Sequence, residues 1–252
     1  MKKRRLFSLF LSFALLLPLF SLTSADAYED FTLDAKAGLL IEADTGEILY
    51  EKNAHQENFP ASLTKVMVAL LVFEAIDEGK IALTDSVTAT ESAFEGLSSD
   101  GSTANIVPGE TMTVEQLLNC MLIVSANEAC NILGETLYGS VDAFVARMNE
   151  RAAELGCEHT HFANATGLHN SQHYTTAWDL YLITREALKH DKFMEICKSK
   201  SYTVPATNMT DKPRELHSTN FLISNWRARG YVYRDAQGIK TGSTPEAGYC
   251  LI

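Results

Sequence analysis

The chain has 252 residues, of which 46% are hydrophobic, and its formal net charge is −11 at pH 7. This apolar content is enough for the core of one large domain or two small ones, and it excludes a chain that is disordered throughout. The acidic balance argues against nucleic acid or anionic lipid as a partner of the protein's body.

The first residues have the pattern of an export signal. Four basic residues at positions 2–5 precede an apolar run over residues 6–22, and small residues follow up to Ala27. The run is short for a membrane span, so a retained anchor is the weaker alternative. We predict a signal peptide over residues 1–27 that is cleaved after Ala27. Cleavage would remove four basic residues and one acidic residue, which changes the net charge to −14.

The cysteines do not have the dense, regular spacing of a disulfide scaffold. They number five and stand at positions 120, 130, 157, 197 and 250. We expect most of them to be buried as small hydrophobic residues, although a bridge between Cys120 and Cys130 could form after export.

The first half of the exported chain predicts a hairpin followed by a buried helix. Residues 37–50 form two apolar runs around an Asp44-Thr45-Gly46 turn, which favours a β-hairpin. Residues 62–78 are apolar on nearly every face of a helix and end before Gly79. A helix that is apolar all round belongs in the centre of a domain.

More helices are predicted in the middle of the chain and short extended segments near its end. Thr113 and Gln116 have the spacing of a capping box and begin a helix that runs through Val124. The other predicted elements are helices over 128–137, 141–155 and 175–190, and extended segments over 203–205, 216–220 and 231–241. Strands at both ends of a helical middle predict an α+β fold in which an antiparallel sheet packs against helices.

The chain ends inside an apolar run at residues 248–252. A strand that stopped there would leave an unpaired apolar edge. We therefore expect residues 28–252 to be one domain that lacks its C-terminal part.

A serine and a lysine three residues apart stand at the start of the predicted central helix. Positions three apart lie on one face, so the hydroxyl of Ser62 and the ammonium of Lys65 can meet there. A serine needs an adjacent base, and a lysine can be that base when burial or a second cation lowers its pKa. Ser62 could instead be a simple N-cap with a solvated Lys65 beside it.

Two more short motifs follow in order. In Ser125-Ala126-Asn127, residues two apart in an extended turn would point the same way, so Ser125 could relay a proton and Asn127 could bind a substrate amide. Lys240-Thr241-Gly242 follows an apolar segment, where the glycine lets another backbone lie close alongside. A peptide could bind there as an added strand. Lys240 would also be the second cation that lowers the pKa of Lys65.

In this order the motifs resemble those of the serine-type D-alanyl-D-alanine carboxypeptidases, which are low-molecular-mass penicillin-binding proteins. The similarity also includes Gly109-Glu110, Phe162-x-Asn164-x-x-Gly167-Leu168 and His173-Tyr174-Thr175-Thr176-Ala177. The resemblance implies a β-lactamase/transpeptidase-like fold with a helical subdomain for residues 28–252. It further implies an exported enzyme on the cell-wall side of the bacterial cytoplasmic membrane, with any membrane association through a C-terminal part beyond these residues.

The resemblance also assigns roles. Ser62 would be acylated, Lys65 would be its base and Ser125 would pass the proton to the leaving D-alanine. The residues implied to bind a peptidoglycan pentapeptide, or a β-lactam as inhibitor, are Asn127, Lys240, Thr241, Gly242 and Ser243. The backbone N–H groups of Ser62 and Ser243 would form the oxyanion hole. This chemistry needs no metal and no cofactor.

Three alternatives stay open. A class A β-lactamase shares the acylation motifs, and Glu115-x-x-Leu118-Asn119 matches its glutamate pattern by letter, although it precedes Ser125 instead of following it. A non-catalytic sensor could bind the same ligands. A zinc peptidase is suggested by the residues Cys157, His159, His161, His169 and His173. Ala126, Glu128 and Ser243 depart from the residues usual in the carboxypeptidases, which leaves substrate preference open.

Overall fold

A buried helix lies at the centre of the fold. The computed structural model describes residues 32–252, so the predicted signal peptide and its cleavage site lie outside the described residues. Helix α1, Lys65–Asp77, buries ten of its 13 residues and ends just before Gly79, which has a φ of +71°. The prediction of a helix from residue 62 was wrong at its start. Ser62 lies in a 3-10 turn, Ala61–Thr64, and the α-helix begins only at Lys65. Ala61, the first residue of this turn, has a φ of +48°.

Five more helices follow in the described part of the chain. Helix α1 packs chiefly against two of them, Asn127–Tyr138 and Ala177–Ala187. The five helices are α2 (Val114–Ile123), α3 (Asn127–Tyr138), α4 (Val141–Glu154), α5 (Ala177–Ala187) and α6 (Asp191–Cys197). The predicted capping box is confirmed, because Thr113 Oγ1 accepts from the N–H of Gln116 and the Gln116 side chain accepts from the N–H of Thr113. The helix predicted to reach residue 190 ends at Ala187, and α6 was not predicted.

The strands of the described chain pair into four two-stranded antiparallel ladders. In order they are β1 (Gly38–Ile41) with β2 (Ile48–Lys52), β3 (Ser86–Thr88) with β4 (Thr111–Thr113), β5 (Ser201–Val204) with β6 (Arg214–His217), and β7 (Thr241–Thr244) with β8 (Gly248–Leu251). Antiparallel strands combined with helices confirm the predicted α+β class. The predicted hairpin over 37–50 is confirmed as the first of these ladders.

The extended segment predicted over 231–241 was wrong for nearly all of its length. Only Thr241 belongs to a strand. Lys240 and Ile252 form backbone hydrogen bonds that extend the ladder of β7 with β8 by one residue. Residues 231–238 lie before this point and have no ladder partner within the described chain, so their apolar residues did not produce a strand.

Within residues 32–252, no helix has the length and apolar character needed to span a membrane. The five cysteines are free thiols, and four of them are buried. The bridge considered between Cys120 and Cys130 is therefore not formed.

Candidate active site

The predicted nucleophile and the predicted base lie side by side at the start of α1. Ser62 is partly exposed in its 3-10 turn, whereas Lys65 is the first residue of the helix and is fully buried. Lys65 Nζ lies 3.0 Å from Ser62 Oγ. A buried amine therefore contacts a hydroxyl that a substrate can reach.

Two other oxygens fix the orientation of the Lys65 amine. Its Nζ donates to the backbone carbonyl of Thr166 at 2.6 Å and to Oδ1 of Asn127 at 2.9 Å. A neutral amine has two N–H groups, and these two oxygens would use both, so that its lone pair faces Ser62 Oγ. Burial lowers the pKa of Lys65, which favours this neutral form.

The Ser125-Ala126-Asn127 segment links α2 to α3, and its backbone is not the extended turn that we predicted. Ser125 has a φ of +66°, in the left-handed region, and Asn127 is already the first residue of α3. The two side chains therefore reach different amines. Asn127 contacts Lys65, and Lys240 Nζ donates to Ser125 Oγ at 3.0 Å.

Lys240 is the second buried amine of the site, with 1% of its surface exposed. Its Nζ also donates to the backbone carbonyl of Thr241 at 2.8 Å. Burial first, and then repulsion from Lys65 whenever that amine is protonated, lowers the pKa of Lys240 to about 7. The prediction that Lys240 lowers the pKa of Lys65 was wrong, because burial is what lowers the pKa of Lys65, and the influence runs from Lys65 to Lys240 instead.

A threonine that the sequence analysis missed stands beside Thr241. Thr219 Oγ1 lies 2.6 Å from Thr241 Oγ1. The N–H of Thr219 bonds to the carbonyl of Ile123 at 3.2 Å, which ties it to the end of α2. Thr219 belongs to no short motif, and only the tertiary structure brings it to the site.

Strand β7 crosses directly over the turn that contains Ser62. A Cβ atom at Gly242 would lie 2.8 Å from the backbone nitrogen of Ser62 and 3.2 Å from that of Leu63. The close backbone approach expected at this glycine is therefore present, and the neighbouring backbone is the nucleophile's own turn. Ser243 follows on β7 and pairs with Tyr249 on β8. The oxyanion hole at the N–H groups of Ser62 and Ser243 stays a prediction.

A loop over residues 97–106 closes against α3 next to Asn127. Buried Glu128 accepts from Thr103 Oγ1 at 2.7 Å and from the N–H of Ala104 at 2.8 Å. The N–H of Asn127 donates to the carbonyl of Ser102 at 2.9 Å. Glu128, at which the sequence departs from the usual family residue, therefore holds this loop in place.

The histidine-rich loop does not gather its side chains into one site. His159 Nδ1 lies 3.3 Å from a carboxylate oxygen of Glu57, His161 Nδ1 contacts a backbone carbonyl, and His173 Nε2 lies 2.8 Å from Thr64 Oγ1. Within the described residues, no three His, Cys, Asp or Glu side chains are placed to hold a metal ion. The geometry gives the zinc alternative no support.

Glu115, the candidate deacylation residue of the β-lactamase alternative, lies in the first turn of α2. Its carboxylate pairs with Lys192 Nζ at 2.6 Å. Because Lys192 lies in α6, this ion pair places Glu115 on the α6 side of the helix.

Comparison with known proteins agrees with these features. The sequence model of a family described as "D-alanyl-D-alanine carboxypeptidase" matches residues 23–252. The curated protein D-alanyl-D-alanine carboxypeptidase DacF of Bacillus subtilis is 40% identical over 218 residues, which cover 86% of this chain and 53% of DacF. D-alanyl-D-alanine carboxypeptidase of Streptomyces sp. K15 is 32% identical over 241 residues, which cover 91% of this chain and 79% of that protein.

Solved structures show the same similarity. The crystal structure of the Streptomyces K15 DD-transpeptidase superposes with a TM-score of 0.78 and 32% identity, over 89% of this chain and 86% of that one. The chain spans about half the length of several of the curated relatives it matches, DacF among them.

Proposed function

Since this chain belongs to the D-alanyl-D-alanine carboxypeptidase family, we propose that it removes the terminal D-alanine from peptidoglycan stem peptides through an acyl-enzyme on Ser62. β-Lactams would acylate the same serine and inhibit the enzyme. Residues 28–252 would form one penicillin-binding, transpeptidase-like domain. The site residues brought together around Ser62 support this reaction, which requires no cofactor.

Acylation would begin with the neutral amine of Lys65. Its lone pair takes the proton of Ser62 Oγ as that oxygen attacks the carbonyl carbon of the penultimate D-alanine. The negative charge that develops on the carbonyl oxygen would be stabilised by the N–H groups of Ser62 and Ser243. Lys65 holds the transferred proton as an ammonium, for which Asn127 and Thr166 provide acceptors.

The second half of acylation breaks the C–N bond. The leaving amine of D-alanine needs a proton, which Ser125 would supply from its hydroxyl while Lys240 replaces it. The carboxylate of the same D-alanine would accept from Lys240 Nζ and Thr241 Oγ1, and Asn127 would hold the substrate amide. Gly242 lets β7 lie close enough for the peptide to bind beside Ser62. After D-alanine has left, the proton gained by Lys65 would pass through solvent to Lys240, so that both amines regain their starting states. Water would then attack the ester, and Lys65 would take a proton from the water and return it to Ser62 Oγ as the ester C–O bond breaks.

One observation carries this proposal. A fully buried lysine lies 3.0 Å from a serine hydroxyl, and its other two polar contacts are both acceptors. A lysine with a solvated ammonium and a serine that only caps a helix would not have this arrangement. The N-cap alternative also lacks support, since no side-chain cap bond is formed at this helix start.

The proposal is tested by D-alanine release from an acyl-D-Ala-D-Ala peptide. We expect release with the D,D peptide, none with the D-Ala-L-Ala peptide, and none from a folded Ser62→Ala variant. Release that continues in Ser62→Ala, or that does not depend on the configuration of the last residue, would reject the proposal.

Penicillin added in slight excess distinguishes the carboxypeptidase from the two alternative functions. A long-lived adduct with hydrolysis of the peptide supports the carboxypeptidase, rapid penicillin turnover supports a β-lactamase, and an adduct without peptide hydrolysis supports a sensor.

We further propose export to the cell-wall side of the cytoplasmic membrane. The basic and apolar pattern of residues 1–27 and the location of peptidoglycan outside the cytoplasm support this. Expression in a bacterial host should give a mature protein that begins at Tyr28. A protein that keeps residues 1–27 in the cytoplasmic fraction would contradict the signal-peptide assignment.

A further inference from the structure

His173 is a buried histidine between the turn of the nucleophile and the turn that orients the base. Its Nδ1 accepts from the backbone N–H of Ala163 at 3.1 Å, and its Nε2 lies 2.8 Å from Thr64 Oγ1. The N–H of Ala163 can only donate, so Nδ1 carries no proton and the single ring proton is on Nε2. The ring therefore donates to Thr64.

Thr64 extends this contact to the residue before the nucleophile. Its Oγ1 donates to the backbone carbonyl of Ala61 at 2.8 Å. Ala61 is held in the left-handed region, which is unfavourable for a residue with a side chain. Gly167 packs against the same carbonyl so tightly that a Cβ atom there would lie 1.9 Å from the oxygen. The backbone conformation of Ala61, which sets the position of Ser62, is thus fixed by Thr64 on one side and by Gly167 on the other.

The other end of the ring leads to the base. Ala163 begins a turn in which Asn164 Oδ1 accepts from the N–H of Thr166 at 3.1 Å. The carbonyl of Thr166 in turn accepts from Lys65 Nζ at 2.6 Å. A single side chain, His173, therefore connects both turns that set the geometry of the reacting pair.

The ring is neutral under physiological conditions. Burial is the main cause that lowers the pKa of His173 to about 4. A neutral ring keeps one acceptor and one donor, which is what its two contacts require.

We propose that His173 is a positioning residue for the reaction at Ser62: through one hydrogen bond to each turn, it sets the distance and direction between Ser62 Oγ and Lys65 Nζ. This inference rests on the proposed function, because acylation of Ser62 is the step that is positioned. His173 acts through Thr64 and Ala163 and leaves the carboxylate-binding side at Lys240 unchanged.

Three substitutions separate the two hydrogen bonds. His173→Phe keeps the ring shape and its packing on Phe162 but removes both bonds. His173→Gln places an amide N–H where Nε2 was and keeps the bond to Thr64, and His173→Asn places an oxygen where Nδ1 was and keeps the bond to Ala163. The matched control is His190→Phe, since His190 also packs against a phenylalanine ring but lies at the other end of α1.

The readouts are the rate constant of acylation by a β-lactam, the KM for a D-Ala-D-Ala peptide, and the folded fraction by circular dichroism. We expect His173→Phe to lower acylation about 100-fold, as misplacement of reacting groups by about 1 Å does, while KM stays within about twofold. His173→Gln and His173→Asn should each recover part of the acylation rate, and His190→Phe should have the wild-type rate. An unchanged rate in folded His173→Phe would overturn the proposal. A rise in KM by the same factor as the fall in the acylation rate would also overturn it.

Two variants at Thr64 test the proposal even if His173→Phe does not fold. Thr64→Val removes the hydroxyl between His173 and Ala61 at constant volume, and Thr64→Ser keeps it. We expect a loss of acylation in Thr64→Val and its retention in Thr64→Ser, whereas equal rates in the two would reject the proposal. Failure of the wild-type protein to be acylated would instead reject the proposed function itself.

Discussion

Gly242 lies against Ser62 so closely that a Cβ atom on the glycine would be 2.8 Å from the serine's backbone nitrogen. Gly242→Ala would therefore force β7 away from the nucleophile's turn. We expect acylation by a β-lactam to fall roughly tenfold to 100-fold, because the oxyanion hole and the substrate strand are both displaced. The control is Gly248→Ala in the same ladder, where a Cβ meets nothing within 4 Å but φ is +73°. It should cost about 1 kcal/mol of stability and leave acylation unchanged. Equal acylation rates in the two variants would contradict this reading.

Asn127 Oδ1 accepts from the base, Lys65 Nζ, at 2.9 Å, and the same side chain is proposed to bind the substrate amide. Asn127→Asp places a negative charge next to Lys65 Nζ and should raise the pKa of the lysine, so that less of the neutral base exists. We expect acylation at pH 7 to fall about tenfold for each unit of that rise and to recover at higher pH. Asn127→Ala, which adds no charge, should lower the rate without moving the pH profile. A profile that is the same in both variants would contradict the contact.

The pH dependence of kcat/KM should have an alkaline limb set by Lys240. Its pKa is lowered to about 7 in the free protein, so the ammonium that binds the substrate carboxylate is present below this pH and is lost as pH rises through it. Lys240→Arg keeps the charge at all these pH values. In this variant the alkaline limb should disappear, even where the maximal rate is lower. An alkaline limb at the same pH in wild type and Lys240→Arg would assign it to another group.

The buried carboxylate of Glu110 forms an ion pair with Arg214 outside the active site. Arg214 Nη2 lies 2.9 Å from Oε1 of Glu110, which is 1% exposed. Arg214→Met would leave that carboxylate without its charged partner, and we expect the free energy of unfolding in urea to fall by roughly 3–5 kcal/mol. Arg234→Met is the control, because its pair with Asp235 is exposed and should contribute about 0–1 kcal/mol. Similar losses in the two variants would contradict the importance of burial.

The local part of this structure could be predicted from sequence. The hairpin, the capping box at Thr113 and the central helix follow from spacing within one element. The proximity of Ser62 to Lys65 was predicted from their separation by three residues, although Ser62 lies in a 3-10 turn and Lys65 begins the helix after it. The family motifs also placed Ser125 and Lys240 in the same site, although spacing alone could not show that they contact each other.

The remaining features depend on contacts that sequence spacing does not contain. Tyr231, Val232 and Tyr233 favour a strand, but residues 231–238 have no partner strand in the described chain. Ser125 lies between α2 and α3, and a serine gives no signal for the left-handed backbone found there. Thr166 acts through its backbone carbonyl, for which no residue type gives a signal. Thr219 reaches the site only by folding.

The most direct test of the central claim is mass spectrometry of the protein after reaction with a β-lactam. Ser62 Oγ faces a buried amine, so we predict a single adduct of one β-lactam mass, located by peptide mapping on Ser62 and absent from folded Ser62→Ala. Lys65→Met, which keeps the length of the side chain but has no amine, should form that adduct several orders of magnitude more slowly. An adduct on another residue, an adduct that persists in Ser62→Ala, or an unchanged rate in Lys65→Met would contradict the account.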